Sequence, residues 1–437
     1  MMKDFPTAGL VVKESRMGVD YAIAEHDGVR RFFATALPQR GTTLSEQAED
    51  LFGAMEGVLK EQGCWGSTVM QSVFLKNTAD REACRQMVAR FHGGLAPATS
   101  YIVQPPCDGS LLAMEAWAMV GTREPVLIDR ASEGLAVVGH AGITWAFVAD
   151  VRPRTTASST YARSASAFQA LDQRLQSAGL RLDHVLRTWI YLGGITAAEG
   201  DTQRYRELNR ARTECYRDCA FGGELLRSQR HGSSDCRAVF PASTGIGAGD
   251  GLVLSCVALQ TQRSDVFLFP LENPRQTAAC DYGRSYGEES PKFARAMAVI
   301  TPGCVTTFIS GTASITASET QHDTDIERQT RQSLDNIEAL VAEDNFRRHG
   351  LSGHGATLQD LVLARVYLKR REDYAVVRAI CRERLGDLPI LYGIGDICRP
   401  ELLIEIEALA VTPLGATGRA IGSSRSHNRR ETCEMPE

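Results

Sequence analysis

No stretch of the chain reaches about 18 consecutive apolar residues, the length a membrane-spanning helix needs, so no membrane partner is expected. The opening MMKDFPTAGLVVKESRMGVD has neither a long apolar core nor a small-residue cleavage site, which makes the cytoplasm the expected location. A strong excess of one charge is also missing. Lys and Arg number 48 against 53 Asp and Glu, a net charge of −5. That balance gives no general attraction to a phosphate backbone, and local clusters such as NFRRHG read as solvated faces, so no nucleic-acid partner is expected. No CxxC pair occurs among the twelve cysteines, which lie scattered in segments such as LSCVAL, EACRQM and TPGCVTT and read as reduced thiols. The nearest approach to a metal pattern is CYRDC, Cys215 and Cys219, without paired histidines nearby; no metal site is expected. A P-loop is lacking too, and STGIGAGDGL does not follow a strand and open a helix as a dinucleotide fingerprint would. Its glycines read as a turn, and no nucleotide, flavin or other cofactor is expected.

What is present is a globular composition, 43% hydrophobic and 23% charged, in a chain of 437 residues that is too long for one core. From about Gly415 the sequence GATGRAIGSSRSHNRRETCEMPE, rich in Gly, Ser and Arg, has no apolar period and reads as a disordered tail.

Before that tail one pattern occurs three times: an amphipathic helix, a strand of the form V-x-x-x-V-Y-L, a second helix, a Pro-containing loop and a final apolar strand. The first copy runs through SEQAEDLFGAMEGVLKEQG, TVMQSVFLKN, DREACRQMVARFHG, LAPATSYIVQPPCDG and SLLAMEAWAMV. The second uses YARSASAFQALDQRLQSAG, HVLRTWIYLGG, QRYRELNRARTECY, FPASTGIGAGDG and LVLSCVALQ, and the third IERQTRQSLDNIEALVAED, DLVLARVYLKR, DYAVVRAICRERLG, LPILYGIGDICRP and ELLIEIEALAV. A repeat this long is a small α/β domain rather than a solenoid turn, with two helices covering one sheet face and a neighbouring copy the other.

The repeated unit, and above all its terminal EIEALA strand preceded by an arginine, resembles the Rid/YjgF fold, whose homotrimers place ligand clefts between subunits. That resemblance implies three tandem α+β units of chorismate-mutase-like type packed as an intramolecular pseudo-trimer, the chain remaining a monomer or forming a weak higher oligomer. The units are expected at residues 1–125, non-catalytic; 126–270, contributing to substrate binding; and 271–414, carrying the catalytic strand, with 415–437 as the tail. Residues from about 130 to 412 resemble something narrower, the chorismatase family, through RTWIYLGGI, QRYRELNRAR, FPASTGIG, ENPRQTAACDYGRSYGEESPKFARAM, SGTASI and CRPELLIEIEA. The segment 217–238 is more irregular than the rest of the pattern, and a lid is one role open to it.

Aligning the final strands on their shared A-x-A/L ending puts Ala113, Ser255 and Glu405 at one position and Glu115, Val257 and Glu407 at another. Only the third copy has a carboxylate at the first position, and only it leads into the strand with Cys398 and Arg399. A Glu on an apolar strand has its charged form destabilised, which suits a proton donor near neutral pH. The opposite reading is a half-exposed strand with its carboxylates in water. The family resemblance implies that Glu405 protonates the methylene carbon of an enolpyruvyl ether, with release of pyruvate and a 3-hydroxybenzoate-type product. It implies a small dicarboxylate substrate, chorismate or a close analogue, held by arginines that suit carboxylates by their forked geometry. Arg187, Arg204, Arg212, Arg275, Arg295 and Arg399 lie in matching motifs. Tyr286, Arg295, Arg212 and Arg399 are favoured, with Tyr205 as a further hydroxyl donor and Gly311 and Thr312 of SGTAS at the binding face. Cys398 and Gly311 resemble the pair associated with hydroxybenzoate-forming members, a small residue and a compact thiol that let the ring's own hydroxyl, instead of water, capture the intermediate. Two other readings stay open: a Rid-type enamine or imine hydrolase using Arg399 and a water, and a non-catalytic module binding a small carboxylate.

Overall fold

The computed structural model describes residues 11–93, 96–226, 238–249, 251–283 and 286–414; the tail expected at 415–437 and the middle of segment 217–238 lie outside them. Three six-stranded sheets share one strand order. In each, two antiparallel strands lead to a third, the final strand of the unit pairs beside it, and the Val-Tyr-Leu-type strand and a parallel edge strand complete the sheet. In the third sheet these are Phe267–Leu271, Ala296–Ile300, Cys304–Thr312, Ile404–Pro413, Leu361–Leu368 and Ile390–Ile394.

The helices form where the apolar period places them. Leu44–Glu61 starts on a capping box made by Thr43 and Glu46 and buries Ala48, Leu51, Phe52, Met55, Val58 and Leu59. Thr160–Ser177 and Ile326–Val341 begin on the side chains of Ser159 and Asp325. Helices cover the outer face of each sheet, and the inner faces pack together in a core that includes Trp117, Trp189 and Phe308, one aromatic from each sheet. The Trp117 and Trp189 rings meet edge to face with centroids 5.9 Å apart. Because both faces are covered, the central strands are buried along their whole length, as in Thr68–Leu75 and Leu361–Leu368. Among the described residues no helix is long and apolar enough to cross a membrane.

Two sequence expectations change. The Pro-containing loops each hold a strand, Ala98–Val103, Ala242–Ala248 and Ile390–Ile394, parallel to the preceding Val-Tyr-Leu strand. STGIGA is therefore strand rather than turn. Its glycines serve close packing: a Cβ at Gly247 would lie 2.7 Å from the Asp396 carbonyl oxygen, and one at Gly245 3.2 Å from the Tyr205 ring.

The second change concerns register. Each Val-Tyr-Leu strand carries an irregularity at the same place against the final strand, between Thr68 and Met70, Val185 and Arg187, and Leu361 and Leu363. Counting from it, Phe74, Tyr191 and Tyr367 are equivalent and face Ala113, Val253 and Glu405. One pleat further along, Ser72, Trp189 and Arg365 face Glu115, Ser255 and Glu407. Val253, not Ser255, is thus the counterpart of Glu405; the A-x-A/L alignment is displaced by two residues in the second copy because it rests on small residues that recur along the strand. Glu405 still stands alone as a carboxylate at its position.

The units touch in a ring. Ala98–Val103 contacts Ile143–Val151 of the second sheet, Ala242–Ala248 contacts Cys304–Thr312 of the third, and Ile390–Ile394 contacts Val29–Ala36 and Leu112–Gly121 of the first. The first junction is filled by its own polar groups: Ser100 and Ser255 share a hydrogen bond of 2.7 Å, and the Asp150 amide donates to Ser100. The second is hollow.

Candidate active site

The hollow at the second junction is a cavity of about 220 Å³ lined by three structural sources. Helix Arg204–Tyr216 gives Tyr205, Arg206, Asn209 and Arg212, and the strand Ala242–Ala248 gives Ser243 and Gly245. The third unit supplies Gly311, Ala313, Cys398, Arg399 and Glu405, together with Tyr282, Tyr286, Phe293 and Arg295 from residues 272–295. That long segment replaces the tight turns found at 17–18 and 133–134 in the other two units, which is why aromatic and basic groups collect here.

Glu405 is buried on the inner face of its strand, 5% exposed, so the exposed-strand reading does not hold. Burial, reinforced by the neighbouring Glu407 charge and opposed by Arg187 and Arg295, pushes its carboxyl up to about 8. Among the described residues none hydrogen-bonds this carboxyl, and it lines the cavity. Burial thus favours the protonated form of this carboxyl near neutral pH. The wall behind it is Gly311: a Cβ there would sit 1.9 Å from Glu405 Oε1 and 3.1 Å from the Thr244 methyl carbon. The Cys398 thiol, also on the cavity, is pushed up to about 12, by burial first and then by Glu405. It is a neutral thiol in this setting, not a thiolate nucleophile.

Three guanidinium groups bring positive charge to the same space, each with a buried nitrogen that has no partner among the described residues: Arg212 Nε, Arg295 Nε and Arg399 Nη2. Their other atoms are held in place. Arg212 Nη2 donates to Asn209 Oδ1 at 2.6 Å; Arg295 Nη2 donates to the Thr277 carbonyl at 2.9 Å and to the Tyr282 hydroxyl at 2.7 Å. Arg399 Nη1 donates to the Ser318 carbonyl at 2.8 Å, and its plane lies 4.4 Å from the Tyr286 ring centroid. Tyr286 donates to Glu319 Oε1 at 2.6 Å, and the phenol of the half-buried Tyr205 is pushed upward by desolvation, then by Cys398, so it stays a hydroxyl. Three arginine side chains in the lining, each with a buried nitrogen left without a partner among the described residues, give the cavity a positive charge that suits an anion.

The structure thus brings together eight of the residues singled out in the sequence, Glu405, Cys398, Arg399, Tyr286, Arg295, Arg212, Tyr205 and Gly311. Thr312 is not with them. Strand alternation turns it away from the face of Gly311 and Ala313, and its hydroxyl donates to the Ser310 carbonyl at 2.9 Å. Arg204 and Arg275 lie outside the lining, and Arg187 is buried behind it, paired with Glu407. Sequence reading missed Tyr282, Phe293 and Asn209; the aromatic spacing around the favoured Tyr286 and Arg295 was the available signal for the first two. Among the described residues no group of three or more His, Cys, Asp or Glu side chains is placed to hold a metal ion.

Comparison with known proteins finds two family models and several relatives. Residues 126–259 match the family model Chorismatase FkbO/Hyg5-like, N-terminal, and residues 294–412 match Endoribonuclease L-PSP. A 3-hydroxybenzoate synthase of Streptomyces hygroscopicus is 36% identical over 236 residues, 52% of this chain and 63% of that protein, so the match spans a little under two thirds of its length. A chorismatase of the same organism is 36% identical over 260 residues, covering 59% of this chain and 70% of that protein. A chorismatase of Streptomyces rapamycinicus is 32% identical over 283 residues, 62% of this chain and 77% of that protein. A crystal structure of a chorismatase aligns with 86% of this chain and 98% of its own at a TM-score of 0.59 and 24% identity, a likeness of fold.

Proposed function

Because this chain belongs to the chorismatase family, we propose that it is an enzyme that converts chorismate, without a cofactor, into pyruvate and 3-hydroxybenzoate. The observation that carries the reading is a buried carboxyl, Glu405, whose neutral form burial favours, on a cavity that Arg212, Arg295 and Arg399 also line. The substrate is a dicarboxylate whose enol ether needs a proton on carbon. Arg212, Arg295 and Arg399 would hold the two carboxylates, and Tyr205 and Tyr286 would offer hydroxyl contacts.

Glu405 transfers its proton to the methylene carbon. The double-bond electron pair becomes the new C–H bond, and the ether oxygen shares the resulting positive charge as an oxocarbenium centre. Glu405 is left as a carboxylate. The neighbouring ring hydroxyl adds to that centre and gives up its proton, forming a cyclic ketal. The bond from the ring to that oxygen then breaks, and the oxygen leaves as the ketone oxygen of pyruvate. The former ether oxygen stays on the ring and takes up the hydroxyl proton as a phenol, and the ring loses a C–H proton to become aromatic, with no net consumption of water or of reducing equivalents. The proton lost by the ring restores the acid. A neutral Cys398 thiol and the bare Gly311 backbone shape the cavity for this outcome, leaving room for the ring hydroxyl rather than for a water.

Incubation with chorismate, with pyruvate and aromatic products followed by chromatography, tests the reading. Pyruvate with 3-hydroxybenzoate, abolished in Glu405→Gln, is expected. Chorismate recovered unchanged would refute it.

A further inference from the structure

Arg187 lies behind the cavity wall and outside the lining, yet it is hydrogen-bonded to Glu407 and to Thr244 in the wall behind Glu405. Its Nη2 donates to Thr244 Oγ1 and to Glu407 Oε2, both at 2.6 Å. Thr244 Oγ1 in turn accepts from the Gly311 amide at 3.0 Å, and Gly311 is the residue against which the Glu405 carboxyl rests. The second unit therefore reaches the acid of the third through an unbroken chain from Arg187 through Thr244 to Gly311. The remaining terminal nitrogen, Arg187 Nη1, is fully buried and has no partner among the described residues. A buried cation whose charge acts on an acid that must become a carboxylate during turnover has an evident use.

Resting on the function proposed above, we propose that Arg187 is a positioning residue for proton donation: it holds the wall behind Glu405 and supplies the positive charge that receives the Glu405 carboxylate once the proton has left. The charges around the acid agree. Glu405 faces Glu407 on its own strand, Arg187 on the strand Val185–Gly193, Arg295 at the start of Ala296–Ile300, Cys398 in the loop before its strand and Tyr205 on the helix Arg204–Tyr216. Arg187 itself faces Glu407, Tyr367, Arg365 and Tyr191. Arg187 and Arg295 are the cations acting on Glu405, and Arg295 is already committed to Thr277 and Tyr282 through Nη2.

The test reads the acid directly. Protein labelled with 13C at the glutamate carboxyl carbons is titrated by NMR, with Glu405 assigned from its absence in Glu405→Gln. In Arg187→Met the Glu405 midpoint is expected to move upward from about 8, and kcat on chorismate to fall about tenfold to a hundredfold, within the usual weight of a general acid. Arg187→Lys, which keeps the charge, should return the midpoint towards that of the parent. Thr244→Val keeps the shape of its side chain but removes the oxygen that anchors Arg187, and should move the midpoint the same way by less; it decides the matter if Arg187→Met does not fold. An unmoved midpoint in the folded variants overturns the role of Arg187 even if the parent turns chorismate over. A midpoint that moves in a protein that leaves chorismate untouched supports the role and refutes the substrate.

Discussion

Replacing Glu405 by Gln removes a titration and little else, so its effect on stability can be worked from one number. An unfolded chain presents this carboxyl near 4.5, and the fold holds it at about 8. Over that interval the folded state keeps a proton that the unfolded state has released. The stability this group contributes is fully present below pH 4.5, declines as pH rises and is lost as pH passes about 8. At about 1.4 kcal/mol per pH unit, the difference accumulates to about 5 kcal/mol as an upper bound. The neutral amide has no such dependence. Urea denaturation of parent and variant at pH values from 5 to 9 should give nearly equal stabilities at the acid end and a variant that is more stable by several kcal/mol at the alkaline end. Other titrating groups are common to both proteins and cancel in the difference. Two stability curves that run parallel across this range would refute the buried, protonated state assigned to Glu405.

Three further changes act elsewhere in the site and its support. Gly311→Ala places a methyl where Glu405 Oε1 lies; the carboxyl is the end of a flexible side chain, so melting should change little while kcat falls about a hundredfold, as a displacement of about 1 Å can produce. Arg399→Met removes a charged donor from the cavity and should raise KM for chorismate by roughly tenfold to a hundredfold, about 1.5–3 kcal/mol, with a smaller change in kcat. Glu115→Gln, far from the cavity, leaves the buried Arg365 without the carboxylate that accepts from its Nε at 2.6 Å and Nη2 at 2.7 Å; a loss of about 3–5 kcal/mol in urea denaturation is expected.

The parts of this molecule visible in the sequence are those set by local periodicity. Ala48, Leu51, Phe52, Met55, Val58 and Leu59 spell one helical face, and that face is buried. The Glu405 strand also reads correctly as a strand, but whether its carboxylates meet water depends on a neighbouring sheet that no local pattern reveals. The opening hairpins of each unit and the strand Ala242–Ala248 escaped because glycine, serine and charged residues interrupt their alternation, and tertiary packing overrides that weak propensity. The displaced register of Ser255 arose because alanines recur every second residue near the ends of the final strands, so the A-x-A/L ending can be matched one pleat too early, and only the pairing across the ladder fixes which match is right. Tyr282 and Asn209 reach the cavity through residues 272–295 and through a helix of another unit, respectively, and side chains joined only by such long connections leave no spacing to recognise.

Where the three inner faces meet, the carboxylates of Glu115 and Glu407 are bound to Arg365 from the third unit and Arg187 from the second, with Tyr191, Trp189 and Tyr367 completing the hydrogen bonds. Arg365 has serine and tryptophan as its counterparts in the other units. Three identical subunits could not make this arrangement, because each would bring its own Arg365 to the centre and like charges would meet there. Tethering removes the requirement that neighbours be copies. It allows one junction to be closed by serines and another to stay open around a buried carboxyl, and it makes the integrity of that hollow a property of a single covalent chain, indifferent to how dilute that chain becomes.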